Sequence, residues 1–151
     1  AFQRLGYAVS LPYGEDEQYD FIADVGGRLI RVQAKTSHTD DEGKTFKFEC
    51  RNMRYNSKGG WHVYYDENDF DYYGTSWKGQ CYLVPISECH NSKRLRISEN
   101  RNRRGNQSIW AEDYELEKVA HKLEEEELNE RIYQDRQTDT GLGVVGRRQD
   151  P

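Results

Sequence analysis

The sequence predicts an α/β domain in which a series of short strands is followed by one long acidic helix. Three observations carry this. Two strand-like runs, 20–25 (DFIADV) and 28–35 (RLIRVQAK), are separated only by Gly26 and Gly27, a two-residue loop suited to the positive φ angles of a tight β-hairpin. Residues 45–50 (TFKFEC) alternate polar and apolar and add a further strand. From 111 to 137 apolar residues recur at helical spacing, Leu116, Val119 and Leu123 in one stripe and Leu128 and Ile132 in a second.

The elements follow in order. Residues 1–6 (AFQRLG) read as the last turn of a helix stopped by Gly6. Residues 7–11 form a short strand, and Pro12 to Gly14 turn the chain. After the hairpin, 39–44 (TDDEGK) predict a turn, 51–60 a polar loop, and 61–65 (WHVYY) a strand. Residues 67–77 read as a short helix or turn carrying aromatics. Residues 80–86 (QCYLVPI) have the character of a buried strand, with Pro85 at an edge or at its end. Ser87 and Glu88 begin a short helical turn, and 91–108 is a polar, basic loop with room for one short strand. The chain thus divides into a globular core, 1–111, an acidic helix, 112–137, and a flexible tail, 138–151.

The net charge of -5 does not announce a nucleic-acid binder, but its distribution is uneven. Residues 1–111 hold 16 basic and 15 acidic side chains, whereas 112–139 hold 4 and 11. The acidic helix is therefore a candidate surface for a basic partner. Lys93, Arg94, Arg96, Arg101, Arg103 and Arg104 form a basic stretch opposed only by Glu99, either a solvated loop or a phosphate-contacting patch. Arg51, Arg54 and Lys58, with Asn52, Tyr55 and Asn56, make a second segment of groups that contact phosphates and bases, or an ordinary polar loop. The three cysteines, Cys50, Cys81 and Cys89, lack disulfide or zinc spacing. No apolar run reaches membrane-spanning length and no signal peptide is visible, which favours a cytoplasmic or nucleoid-associated location.

The chemistry concentrates at the open end of the hairpin. With Gly26 and Gly27 as the loop, paired positions place Val25 opposite Arg28, Ile22 opposite Arg31, and Asp20 opposite Gln33. Period-2 alternation puts Gln33 and Lys35 on one face, so an acid, an amide and a lysine converge. A hard dication such as magnesium, or manganese in its place, takes oxygen ligands. Asp20, Gln33 and the main-chain carbonyl of Ala34 can supply them, while Lys35 orients a water or neutralises charge developing on a phosphate. The same residues can equally form a surface salt bridge between Asp20 and Lys35.

The run GYAVSLPYGEDEQYDFIADVGGRLIRVQAKTS, residues 6–37, resembles the core of PD-(D/E)xK endonucleases, in the branch of small homing-type enzymes with glutamine at the usual acidic position. The runs at 69–89 and 109–117 are similar to this branch as well. The resemblance implies a restriction-endonuclease-like fold, a mixed central sheet flanked by helices, with 1–111 as the nuclease core. It implies that Asp20 is the aspartate of the PD motif, with Tyr19 where proline usually stands, and that Gln33 and Lys35 form the QxK pair. It further implies a metal-dependent endonuclease acting on double-stranded DNA, of homing, restriction or repair type. A glutamate is expected on a helix ahead of Gly6; Glu15, Asp16 and Glu17 are alternative sources of a second acid or plain loop acids. Cutting both strands favours a homo-oligomer. The alternative within the same fold is a catalytically silent module that binds DNA or protein.

Overall fold

The computed structural model describes residues 1–14, 16–40, 43–97 and 109–140, and the hairpin at 21–32 organises them. Strand β1 (Ala8–Ser10) pairs antiparallel with β2 (Phe21–Val25), which pairs antiparallel with β3 (Arg28–Asp40). Gly26 and Gly27 both take left-handed backbone, at φ 64° and 98°, and the Gly27 amide donates to Asp24 Oδ1 at 2.7 Å. This twist matches that of the strands, so the turn fixes the register: Phe21 lies opposite Val32, Ile22 opposite Arg31 and Val25 opposite Arg28, as the sequence predicts.

Strand β3 runs 13 residues, past the turn expected at 39–44, and it is the spine of the sheet. Its first half pairs with β2 and its end, Ser37 to Asp40, with β4 (Thr45–Glu49). Between them, Val32 to Thr36 pair in parallel with β7 (Tyr72–Trp77), the contact that makes the sheet mixed. Outside the sheet, β5 (Asn52–Asn56) and β6 (Gly59–Val63) form a separate two-stranded ribbon. β8 (Gln80–Pro85) covers the outer side of β7, and β9 (Ser92–Arg96) that of β4.

The helix α1 (Leu116–Thr140) is reached through a 3-10 turn, Ala111–Tyr114. Leu116, Ala120 and Leu123 are buried against Ala23, Val25, Ile30, Val32 and Leu83. The side of the sheet carrying alternate β2 and β3 residues is thereby closed, as period-2 geometry requires. α1 also braces the hairpin turn, where Arg131 Nη2 donates to the Gly26 carbonyl at 3.3 Å. A second apolar cluster, including Phe46, Phe48, Phe70, Tyr73, Val84 and Leu95, fills the space around β4, β7, β8 and β9. Leu128 and Ile132, the second expected stripe, are exposed at 58% and 42%. No helix among the described residues is long and apolar enough to cross a membrane.

Four expectations are corrected. Residues 51–60 are not loop: β5 and β6 form a hairpin whose turn is held by the Lys58 amide donating to Asn56 Oδ1 at 2.8 Å. The segment 67–77 is not helical beyond a short turn, since Tyr72–Trp77 is an interior strand. Its entry is pinned by Arg31, whose guanidinium donates to both Asp71 carboxylate oxygens and to the carbonyls of Glu67, Asn68 and Asp69. Lys93 is neither a loop nor a solvated residue: it is 5% exposed and its ammonium bonds Glu88 Oε2 at 2.9 Å above the Tyr114 ring. The helix extends three residues past 137, through Thr140, where a tail was expected. Arg101, Arg103 and Arg104, Glu15, and 141–151 lie outside the described residues.

A β-carbon at Gly27 would stand 1.9 Å from Arg131 Nη2, on backbone that L side chains rarely adopt. Gly27→Ala is therefore expected to destabilise the fold by about 1–2 kcal/mol, the left-handed backbone penalty alone. Urea unfolding of the two proteins measures it.

Candidate active site

The open end of the β2–β3 hairpin brings Asp20, Gln33 and Ala34 together. Asp20 stands one residue before β2, with its amide bonded to the Val32 carbonyl at 2.9 Å. Its carboxylate oxygen Oδ2 accepts from Gln33 Nε2 at 2.9 Å and from the Ala34 amide at 2.6 Å. Asp20 is exposed and Gln33 half-buried, so the carboxylate faces solvent while one of its oxygens is fixed by two donors.

Lys35 follows two residues along the same face. Its ammonium donates to Asn52 Oδ1 at 3.0 Å and lies 5.5 Å from the centre of the Tyr65 ring. It forms no direct ion pair with Asp20, so the simple surface salt bridge is not what these residues make. Burial holds Lys35 below the usual lysine range, while the negative charge of Asp20, and then of Cys50, pulls the other way. Tyr65 is pushed up by burial, against the pull of Arg54 and of its bond to Asn52. The parallel neighbour of β3 supports this stretch from behind: Thr75 Oγ1 donates to the Lys35 carbonyl at 2.8 Å.

Asn52 and Tyr65 are the residues that sequence reasoning did not assign to this site. Asn52 was grouped with a polar loop and Tyr65 only with the strand candidate 61–65, because neither sits near Lys35 in sequence. The available signal was the composition of 51–65, which contains no acidic residue.

The other expected contacts are dispersed. Arg54 and Lys58 lie on the exposed ribbon, where neither has an acidic partner among the described residues. Arg51, at its base, approaches Glu49 at 3.7 Å. Arg94 is an exposed residue of β9 opposite Lys47. Asp16 and Glu17 are exposed in the connection to β2.

The donors present are a carboxylate, a carboxamide and a main-chain carbonyl, all hard oxygen groups, and they fit a magnesium-type ion that keeps several waters. Gln33 currently turns its amide nitrogen to Asp20, so it must present Oε1 instead to act as a ligand. Among the described residues no group of three or more His, Cys, Asp or Glu side chains is placed to hold a metal.

A family model described as PD-(D/E)XK endonuclease matches residues 2–117. No curated protein sequence matches the chain. Among solved structures, the fold is similar to that of a bacterial homing endonuclease, I-Ssp6803I, with a TM-score of 0.67 and 21% identity over 86% of this chain and 87% of that one.

The lowered position of Lys35 fixes the sign of a stability effect. The folded chain disfavours its ammonium, so below the lowered folded pKa, where both states are charged, the residue costs stability. That cost fades as pH rises toward the unfolded lysine value. Lys35→Met is thus expected to melt no lower than the parent at pH 7, with any gain shrinking as pH approaches 10.5. Thermal unfolding across that range reads it.

Proposed function

Because the chain belongs to the PD-(D/E)XK endonuclease family, we propose that it is a metal-dependent endonuclease that hydrolyses phosphodiester bonds of double-stranded DNA, of homing, restriction or repair type. The observation that carries this reading is the double clamp on Asp20: its Oδ2 is fixed by Gln33 and by Ala34, two residues from a half-buried lysine on the same strand. Asp20, Gln33 and the Ala34 carbonyl would hold magnesium, or manganese in its place. A bound ion of that kind polarises a phosphate oxygen and lowers the pKa of a coordinated water.

The chain's own residues do the rest. The Asp20 carboxylate, oriented by two donors, presents its other oxygen at the site. Gln33 adds a ligand without adding charge, so the site repels an approaching phosphate less than a two-acid site does. Lys35 places a cation where negative charge grows on the phosphate oxygens in the transition state. Asn52 and Tyr65 restrict its rotamers, so little reorganisation is needed during reaction. Arg51, Arg54, Lys58, Arg94, Arg101, Arg103 and Arg104 would contact the DNA, at phosphates or at base edges. A homo-oligomer with two such centres would cut both strands, and the acidic α1 offers a surface to a basic partner.

Three outcomes are expected. Lys35→Ala should reduce single-turnover cleavage in magnesium by about two to three orders of magnitude, the loss typical of one transition-state donor. DNA affinity measured in calcium should stay near the parental value. Parental cleavage by that variant would place the chemistry elsewhere. Gln33→Glu should bind metal more tightly, measurable by calorimetry with calcium.

The third outcome concerns the basic stretch. Changing Arg101, Arg103 and Arg104 together to Gln should weaken binding about equally for all duplex sequences. It should also flatten the salt dependence by about 0.9 for each lost phosphate contact. An unchanged slope would show that these arginines do not touch the backbone.

A further inference from the structure

The β5–β6 ribbon is built unlike the rest of the molecule. Every residue of β5 is exposed, as is every residue of β6 except Val63. The segment 51–65 carries Arg51, Arg54 and Lys58 and no acid, in a chain of net charge -5. A ribbon that spends ten strand residues without burying an apolar face has a purpose other than packing.

Its register sorts the side chains. Asn52 pairs with Val63, Arg54 with Trp61, and Asn56 with Gly59, so Asn52, Arg54, Asn56 and Trp61 share one face. The opposite face carries Met53, His62 and Tyr55, whose ring lies across Gly60, where a β-carbon would stand 2.7 Å from it. The first face is the one that meets the site, because Asn52 Oδ1 accepts from Lys35. Arg54 and Asn56 therefore continue outward from the lysine in steps of two residues, about 7 Å each.

We propose that this ribbon is the sequence-reading element of the protein, entering the major groove of duplex DNA with Arg54 at a base edge. The proposal rests on the nuclease reading of the adjoining site. A two-stranded ribbon fits the major groove, and arginine is the side chain that bonds guanine there in bidentate fashion. Arg54 has no carboxylate to satisfy its guanidinium among the described residues. Lys58 lies in the turn at the ribbon's tip, where its ammonium would meet the DNA backbone. The Lys35–Asn52 bond ties the ribbon to the catalytic strand. Arg54 stands about 7 Å along the ribbon from Asn52, the residue that meets the lysine, which at about 3.4 Å per step is about two base pairs.

The test is selection of bound duplexes from a pool with a randomised central segment, using the full chain in calcium, followed by cleavage of the selected duplexes in magnesium. The parent is expected to enrich defined base pairs. Arg54→Ala should erase preference at one or two adjacent pairs and lower affinity for the selected duplex by about 5- to 150-fold, one bidentate base contact. The variant should bind unselected DNA nearly as the parent does. A parent that enriches nothing would overturn the proposal. So would a variant that keeps the parental preferences, or that loses affinity equally for all sequences, as loss of a phosphate contact would. If the variant loses preference while the parent cleaves nothing in magnesium, the ribbon stands as a reader and the nuclease reading fails.

Discussion

The register of the β2–β3 hairpin is the constraint on which the rest depends. Side chains alternate along a strand, so a slip of one residue would carry Gln33 and Lys35 to the face covered by α1 and bring Ile30 and Val32 into solvent. Three features prevent it. Gly26 and Gly27 accept the left-handed turn, Asp24 ties the turn to its own strand, and Arg131 of the helix closes over it. The apolar face of the pair then pays for the exposed polar face, since Ala23, Val25, Ile30 and Val32 are buried with Leu116, Ala120 and Leu123.

The site inherits its order from this frame. Asp20 lies just beyond the paired residues, where the carboxylate can take an amide hydrogen from β3. Lys35 lies where β3 gains β7 as a parallel neighbour, which stiffens the strand and draws the lysine under Tyr65 and Asn52. The spine strand thus holds the acid–amide pair and the lysine together, and the ribbon extends outward from the lysine's partner. One strand links chemistry to the surface that would meet DNA.

Much of this was legible in the residues and some was not. The hairpin, its register and the face shared by Gln33 and Lys35 followed from two glycines and the period of a strand. The first apolar stripe of the helix followed from its 3.6-residue period, although Ala120 is buried more completely than Val119. The ribbon was hidden because neither of its faces is buried, so no alternation marks it. Strand β7 was hidden because Asp66, Asn68, Asp69 and Asp71 look like turn residues. They do form the turn, but its purpose is to deliver the chain to a partner 40 residues away, through Arg31 and Asp71. Lys93 was misread because a count of charges in a window does not see Glu88 and Tyr114, which bury and satisfy its ammonium.

The central claim is that the Asp20 carboxylate and the neighbouring oxygen donors support metal-dependent hydrolysis of DNA. Its most direct measurement is conversion of supercoiled plasmid to nicked or linear form by the parent and by Asp20→Asn, each in magnesium, manganese and chelator. The account predicts cleavage by the parent in either metal, none in chelator, and none by Asp20→Asn under any condition despite retained DNA binding. Cleavage by Asp20→Asn at the parental rate, or cleavage by the parent in chelator, would contradict it.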